Sequence, residues 1–105
     1  MFDTEFYFEE LPILIGKTEI AMCTGTALLE GEYDCHDYGF FVTGIALDGN
    51  LDGSYRDKRR VRISAASDDP FCALLFRRIA DRIEADSAAA DHFYHALKNR
   101  LSDVA

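Results

Sequence analysis

The sequence predicts an α+β domain in which an antiparallel sheet of about four strands, residues 2–66, precedes two C-terminal helices. Two observations carry this prediction. Apolar and polar side chains alternate in several segments before Asp68, and the spacing changes to a helical period after it. The chain has 105 residues, which is the size of one domain, so we expect residues 1–105 to share a single core.

The first strand shows the alternation most clearly. Every second position from Phe2 to Phe8 is aromatic or threonine, and the positions between them are mostly acidic. Because successive side chains of a strand point to opposite faces, we expect one face on the core and one acidic face in solvent. The stretch LPILIG that follows contains Pro12 and Gly16, which predicts a turn or an edge segment.

Three further segments complete the predicted sheet. Residues 17–29 alternate more loosely and form the second strand. Residues 39–47, GFFVTGIAL, are apolar on both faces and predict a central strand that is covered on both sides or nearly so. Residues 59–66 alternate again, and a hairpin joins them to the third strand.

Both helices are predicted from apolar residues at helical spacing, the first over about 69–85 and the second over about 88–102. Asp68 or Asp69 can cap the first helix, with Pro70 in its first turn. The predicted buried residues of the first helix are Phe71, Leu74, Leu75, Ile79 and Ile83, and those of the second are Ala90, Phe93, Tyr94, Leu97 and Leu101. We expect both stripes to cover the inner face of the sheet.

The charge is distributed unevenly along the chain, whose formal net charge is −8. Residues 1–55 carry eleven acidic side chains against Lys17 alone, whereas residues 56–105 carry ten basic and eight acidic ones. An acidic half repels nucleic acid and anionic membranes and attracts basic proteins. We therefore expect a protein partner with a basic surface, and no direct contact with nucleic acid or membrane.

The basic cluster RDKRRVR, residues 56–62, does not change this expectation. Binding of nucleic acid would require aromatic partners and a positive surface, and Tyr55 is the sole aromatic residue nearby. We expect Arg60 and Arg62 instead to pair across strands with acidic side chains.

The cellular compartment is predicted from the N-terminus and the cysteines. No apolar run reaches the length of a membrane span, and the first residues are acidic, so we expect a cytoplasmic protein. Cys23, Cys35 and Cys72 are odd in number and form no C-x-x-C pair, so we expect three free thiols.

One stretch with metal-ligand residue types is YDCHDYG, residues 33–39. It places Cys35 beside His36, while His92 and His95 lie three positions apart on the second helix. Adjacent residues of an extended segment point to opposite faces, and no ligand-spacing motif joins the two sites. We therefore predict a polar turn at Cys35, and histidines that face solvent.

The other such stretch is DGNLDG, residues 48–53. Asp48, Asn50 and Asp52 match the opening of a calcium loop, but Arg59 stands where the bidentate glutamate belongs. We predict a β-turn at this stretch, and no metal or other cofactor in the protein. The sequence also contains no catalytic motif such as G-x-S-x-G or H-E-x-x-H, so we do not expect an enzyme.

Size, acidity, the lack of a catalytic motif and the order of strands before helices together resemble a known class. The chain is similar to small acidic α+β proteins encoded by phages and prophages, of the anti-CRISPR type. The resemblance implies stoichiometric inhibition, in which the protein covers a basic nucleic-acid-binding surface on a host protein. No residue motif defines this class, so no functional residues follow from it.

We predict an acidic protein-binding module. The predicted contact is the acidic face of the first strand: Asp3, Glu5, Tyr7 and Glu9. Alternate residues of a strand are about 6.8 Å apart, which makes the row a sparse mimic of phosphates spaced ~3.4 Å along a DNA strand. The alternatives are a small-ligand or metal-regulated binding protein and a structural homodimer formed through the helices, and an acidic row is also an ordinary solubilising surface.

Overall fold

A computed structural model describes residues 2–34, 37–50 and 58–104. The elements are β1 (Phe2–Ile15), β2 (Thr18–Asp34), β3 (Asp37–Asn50), β4 (Lys58–Ile63), α1 (Pro70–Glu84) and α2 (Ser87–Val104). The strands are hydrogen-bonded in the order β1-β2-β3-β4, and each is antiparallel to its neighbour. The predicted antiparallel sheet followed by two helices is therefore confirmed, as is the hairpin between the third and fourth strands.

β1 extends beyond its predicted end and includes residues 11–15 of the LPILIG stretch as an edge strand, while Gly16 lies in the turn to β2 with a φ of 63°. The ladder with β2 is interrupted between Phe8 and Leu11, and Glu10 has a φ of 50°. Its backbone N–H donates to Thr24 Oγ1 at 3.0 Å instead of joining the ladder. This bulge shifts the alternation by one residue, so that both Phe8 and Ile13 are buried on the same side of the sheet.

The core lies between one face of the sheet, here called the inner face, and the two helices. Its largest fully buried side chains are Phe76, Phe93, Leu29, Ile79 and Ile83. The Phe93 ring of α2 lies 5.5 Å from the rings of both Phe2 and Phe40, which ties the second helix to β1 and β3.

The face that α1 presents to the sheet differs from the predicted stripe. Phe76 and Ala80 are buried together with Ile79 and Ile83, whereas Phe71 and Leu74 are 67% and 56% exposed. Two sets of apolar residues on α1 fit the same helical period, and both contain Leu75, Ile79 and Ile83. Contact with the sheet buries the set that also contains Phe76.

The second helix shows a smaller difference of the same kind. Ala89, Phe93 and Leu97 are buried, while Ala90 is exposed. The side chain of Leu101 lies outside the described part of the structure.

The start of α1 agrees with the prediction. Asp69 is the N-cap, and its Oδ1 accepts a hydrogen bond from the Phe71 N–H at 2.9 Å. Pro70 occupies the first helical position, where no backbone donor is needed.

Two of the three cysteines fall within the described residues. Cys23 and Cys72 are free thiols, as predicted, and both are partly buried against the core. Burial raises the pKa of the Cys23 thiol. Cys35 lies outside the described residues.

Candidate protein-binding face

The helices cover one side of the sheet, and the opposite side is here called the outer face. Cross-strand partners share a face, so the register defines its members. They are Asp3, Glu5, Tyr7 and Glu9 on β1, Thr26, Leu28 and Glu30 on β2, Phe41, Gly44, Ala46 and Asp48 on β3, and Arg60 and Arg62 on β4.

The four residues predicted as the contact lie side by side on this face. Asp3, Glu5, Tyr7 and Glu9 are all exposed, because the aromatic side chains between them turn to the core. Glu30 adds a fourth carboxylate, since it is the β2 partner of Asp3. Sequence reasoning missed Glu30, because its position beside the row depends on the register between β1 and β2.

Within the described residues, Asp3, Glu5, Glu9 and Glu30 form no ion pair. Their charge is therefore available to a group outside the chain.

Asp48 differs from the other acids of the outer face, because it pairs with Arg60. The distance between Arg60 Nε and Asp48 Oδ1 is 3.3 Å, and Arg60 Nη2 donates to Thr26 Oγ1 at 2.9 Å. This confirms the predicted cross-strand pairing for Arg60. Arg62 forms no ion pair within the described part of the chain.

The outer face also exposes aromatic surface. Tyr7 is 55% exposed and Phe41 is 47% exposed. The expectation that the central strand is covered on both sides or nearly so was wrong at Phe41, because both helices pack on the inner face and leave this side chain open. Partial desolvation and the neighbouring Glu9 carboxylate, to which the hydroxyl hydrogen bonds, raise the pKa of Tyr7.

A groove of about 350 Å³ runs between the acidic and basic edges of the face. Glu5 stands on one side, and Arg60 and Arg62 stand on the other. Gly44 and Ala46 form much of its floor, and the groove exists because these residues have little or no side chain.

The residues considered for a metal site are not brought together. Asp48 and Asn50 lie in β3 opposite Arg60 and Lys58, and Asp52 lies outside the described residues. In the part of the chain that the structure describes, no group of three or more His, Cys, Asp or Glu residues is placed to hold a metal ion.

The histidines of α2 have different surroundings. His92 Nε2 donates to the Glu5 carbonyl oxygen at 2.7 Å, and its ring lies 5.5 Å from the Phe6 ring. The prediction that His92 only faces solvent was therefore incomplete, because this side chain joins α2 to β1. His95 is exposed beside the Tyr94 ring, and Cys35 and His36 lie outside the described residues.

A second cleft, of about 680 Å³, opens between the end of β1 and the last turns of α1. Leu14 forms part of one side, and Arg78, Asp81 and Arg82 form part of the other. Ligand sites usually place a few buried polar groups that fix orientation, and no polar or charged residue of the described chain is buried. This cleft does not support the small-ligand alternative.

No helix within the described ranges has the length and apolar character needed to cross a membrane. Comparison of the chain with protein-family models, with curated proteins and with solved structures finds no match.

Proposed function

We propose that this protein is an acidic protein-binding module that uses its outer face to contact a basic surface on another protein. The observation that supports the proposal is the row Asp3, Glu5 and Glu9, whose carboxylates are exposed and form no ion pair within the described residues. A basic partner would supply the missing counter-charges.

The two kinds of side chain on the face have different roles in such a contact. Exposed carboxylates attract a basic partner over a distance and increase the association rate. Tyr7 and Phe41 supply apolar area, and aromatic residues are enriched where interfaces gain most of their affinity. The acidic row therefore sets the rate of encounter, and the aromatic pair sets the lifetime of the complex.

We further propose that the partner is a host protein that holds nucleic acid on its basic surface, and that the module acts as a stoichiometric inhibitor. This step rests on the resemblance to phage-encoded proteins of the anti-CRISPR type. Side chains about 6.8 Å apart on β1 would occupy part of the sites that phosphates occupy. Nucleic acid and the module would then compete for one surface.

The proposal is tested with a variant in which Asp3, Glu5 and Glu9 are replaced together by Ser. Affinity capture from a host lysate supplies candidate partners, which are then purified for stopped-flow association measurements. We expect the variant to associate on the order of tenfold more slowly at low salt. Wild-type association should slow as salt rises, because the Debye length falls from ~10 Å at 0.1 M to ~3 Å at 1 M.

The matched control removes three carboxylates from the helical layer. Its substitutions are Asp68→Ser, Asp81→Ser and Asp91→Ser, all at exposed positions. The control should associate at nearly the wild-type rate. A partner whose association responds neither to salt nor to the row variant would refute the acidic contact, and exposed Phe71 and Leu74 on α1 would become the surface to test.

A further inference from the structure

The outer face carries opposite charges at its two edges. The acids of β1 lie at one edge, and Arg60 and Arg62 of β4 lie at the other, with two strands between them. With neighbouring strands about 4.8 Å apart, the two edges are roughly 14 Å apart. The carboxylates of the acidic edge and Arg62 lack ion-pair partners within the described structure.

We propose that the outer face also binds a second copy of this chain. When two such sheets face each other across a two-fold axis that runs along the strands, β1 of each copy lies over β4 of the other. Arg62 shares a row with Ala46, Thr26 and Tyr7. It would therefore lie opposite Tyr7 of the second copy, between Glu5 and Glu9.

This arrangement places Arg62 of each copy against Glu5 and Glu9 of the other. A two-fold axis repeats the contact, so the same opposite charges meet at both edges of the face. Packing one sheet on another in nearly aligned directions is a common arrangement of antiparallel sheets. A rotation axis across the strands would instead place β1 over β1 and bring the acids together, so charge selects the axis along the strands.

The centre of the face suits the same contact. Leu28 and the exposed Phe41 lie on the two middle strands beside the axis, where Leu28 would face Gly44 of the second copy and Phe41 would face Glu30. The face measures roughly 500 Å² per copy, which is at the lower limit for a specific interface. We therefore expect a weak, reversible dimer.

A weak dimer of this kind would regulate the proposed function. One surface cannot hold a second copy and a basic partner together, so the partner must displace the dimer. This regulatory step rests on the proposed function, whereas the dimer itself does not.

Charge reversal tests the dimer. One variant carries Glu5→Lys and Glu9→Lys, and the other carries Arg62→Glu. Each should dissociate the dimer at least about tenfold more readily than wild type, because attraction becomes repulsion at both copies of the contact. Sedimentation velocity over a range of protein concentrations measures the monomer–dimer equilibrium.

Mixing the two variants gives the decisive measurement. The lysines introduced at positions 5 and 9 of one chain would then face the glutamate introduced at position 62 of the other, and the remaining contact keeps its natural charges. An equimolar mixture should therefore dimerise although each variant alone is monomeric. A single chain with all three changes should also dimerise, because its charges are reversed at both edges.

The control is Arg78→Glu on α1, which reverses a charge of the same sign away from the outer face. If a charge-reversal variant does not fold, the milder Arg62→Ser takes its place. Arg78→Glu should leave the dimer unchanged, and Arg62→Ser should weaken it. A wild-type chain that stays monomeric, or a mixture that stays monomeric, would overturn the inference. Those outcomes leave the salt-dependent binding of a basic partner intact, so the two proposals fail separately.

Discussion

At the scale of single residues, Glu84 joins the end of α1 to the sheet. β4 pairs with Ile45–Asn50 only. On that side of β3, the residues before Ile45 therefore have no neighbouring strand in the described structure. Glu84 Oε2 accepts a hydrogen bond from the Val42 N–H at 3.2 Å, and it lies 3.1 Å from Arg77 Nη2. The carboxylate thereby satisfies a backbone donor that the sheet leaves free.

We predict that Glu84→Ala lowers the free energy of unfolding by about 1.5–3 kcal/mol, the range for a hydrogen bond that involves a charged group. Glu84→Gln keeps an oxygen acceptor and should cost less. Asp81→Ala is the control, since it removes the other carboxylate that pairs with Arg77 but no contact to β3. Urea denaturation measures all three, and equal losses for the Ala variants at 81 and 84 would show that the Val42 contact adds nothing.

Residues differ in how far the sequence predicts them. The Asp69 cap is local, since the acceptor, Pro70 and the Phe71 donor are consecutive in the chain, and it was predicted correctly. The contact from His92 to the Glu5 carbonyl joins positions 87 residues apart. No local pattern encodes that distance, so sequence reasoning placed His92 in solvent.

At the scale of elements, Gly31 allows α2 to approach the sheet. It is buried in β2, and a Cβ built there would collide with the Gly39 carbonyl oxygen and lie 2.9 Å from Phe93 Cζ. The close packing of Phe93 on the sheet therefore requires glycine at this position.

We predict that Gly31→Ala destabilises the fold by about 1–3 kcal/mol, as overpacking of a core commonly does. Gly39→Ala is the matched control, because a Cβ there meets nothing within 4 Å and the residue is also in a strand. Chemical denaturation of the two variants compares them directly. Similar stability for both would show that the Gly39 carbonyl of β3 and the Phe93 ring of α2 can both shift without cost.

The elements were predicted well where one pattern settles the structure and less well where two patterns compete. The period of two in β1 has a single interpretation, so the acidic row was placed correctly. The bulge at Glu10 depends on pairing with β2, and the buried stripe of α1 depends on which side meets the sheet. The position of Arg62, at the edge of the outer face opposite the acids of β1, likewise follows only from the strand order and the register.

At the scale of the whole molecule, the acids of β1 and Glu30 are concentrated at one edge of the outer face, where no ion pair among the described residues neutralises them. The net charge is −8, and the ion pairs of Arg60 and Arg77 use acids outside the row: Asp48, Asp81 and Glu84. Asp3 and Glu5, about 6.8 Å apart, lie within a Debye length of each other at ordinary ionic strength, and the whole row lies within the ~30 Å Debye length at 0.01 M, so these carboxylates repel most strongly at low salt. Folding also brings Glu30 of β2 beside Asp3, and the repulsion between these two carboxylates opposes the folded state.

We predict that sodium chloride raises the thermal midpoint of the dilute wild-type protein, because the Debye length falls from ~30 Å at 0.01 M to ~8 Å at 0.15 M and screens this repulsion. The variant with Ser at positions 3, 5 and 9 should be more stable than wild type at low salt and should respond less to added salt. The variant with Ser at positions 68, 81 and 91 loses the same number of charges, but one of them pairs with Arg77 and the others stand apart. It should keep most of the wild-type salt response.

Differential scanning calorimetry at low protein concentration, where the proposed dimer is dissociated, compares the three proteins. If added salt raises the thermal midpoint of both variants equally little, then only the total charge matters, and the row on β1 is not a concentrated source of repulsion.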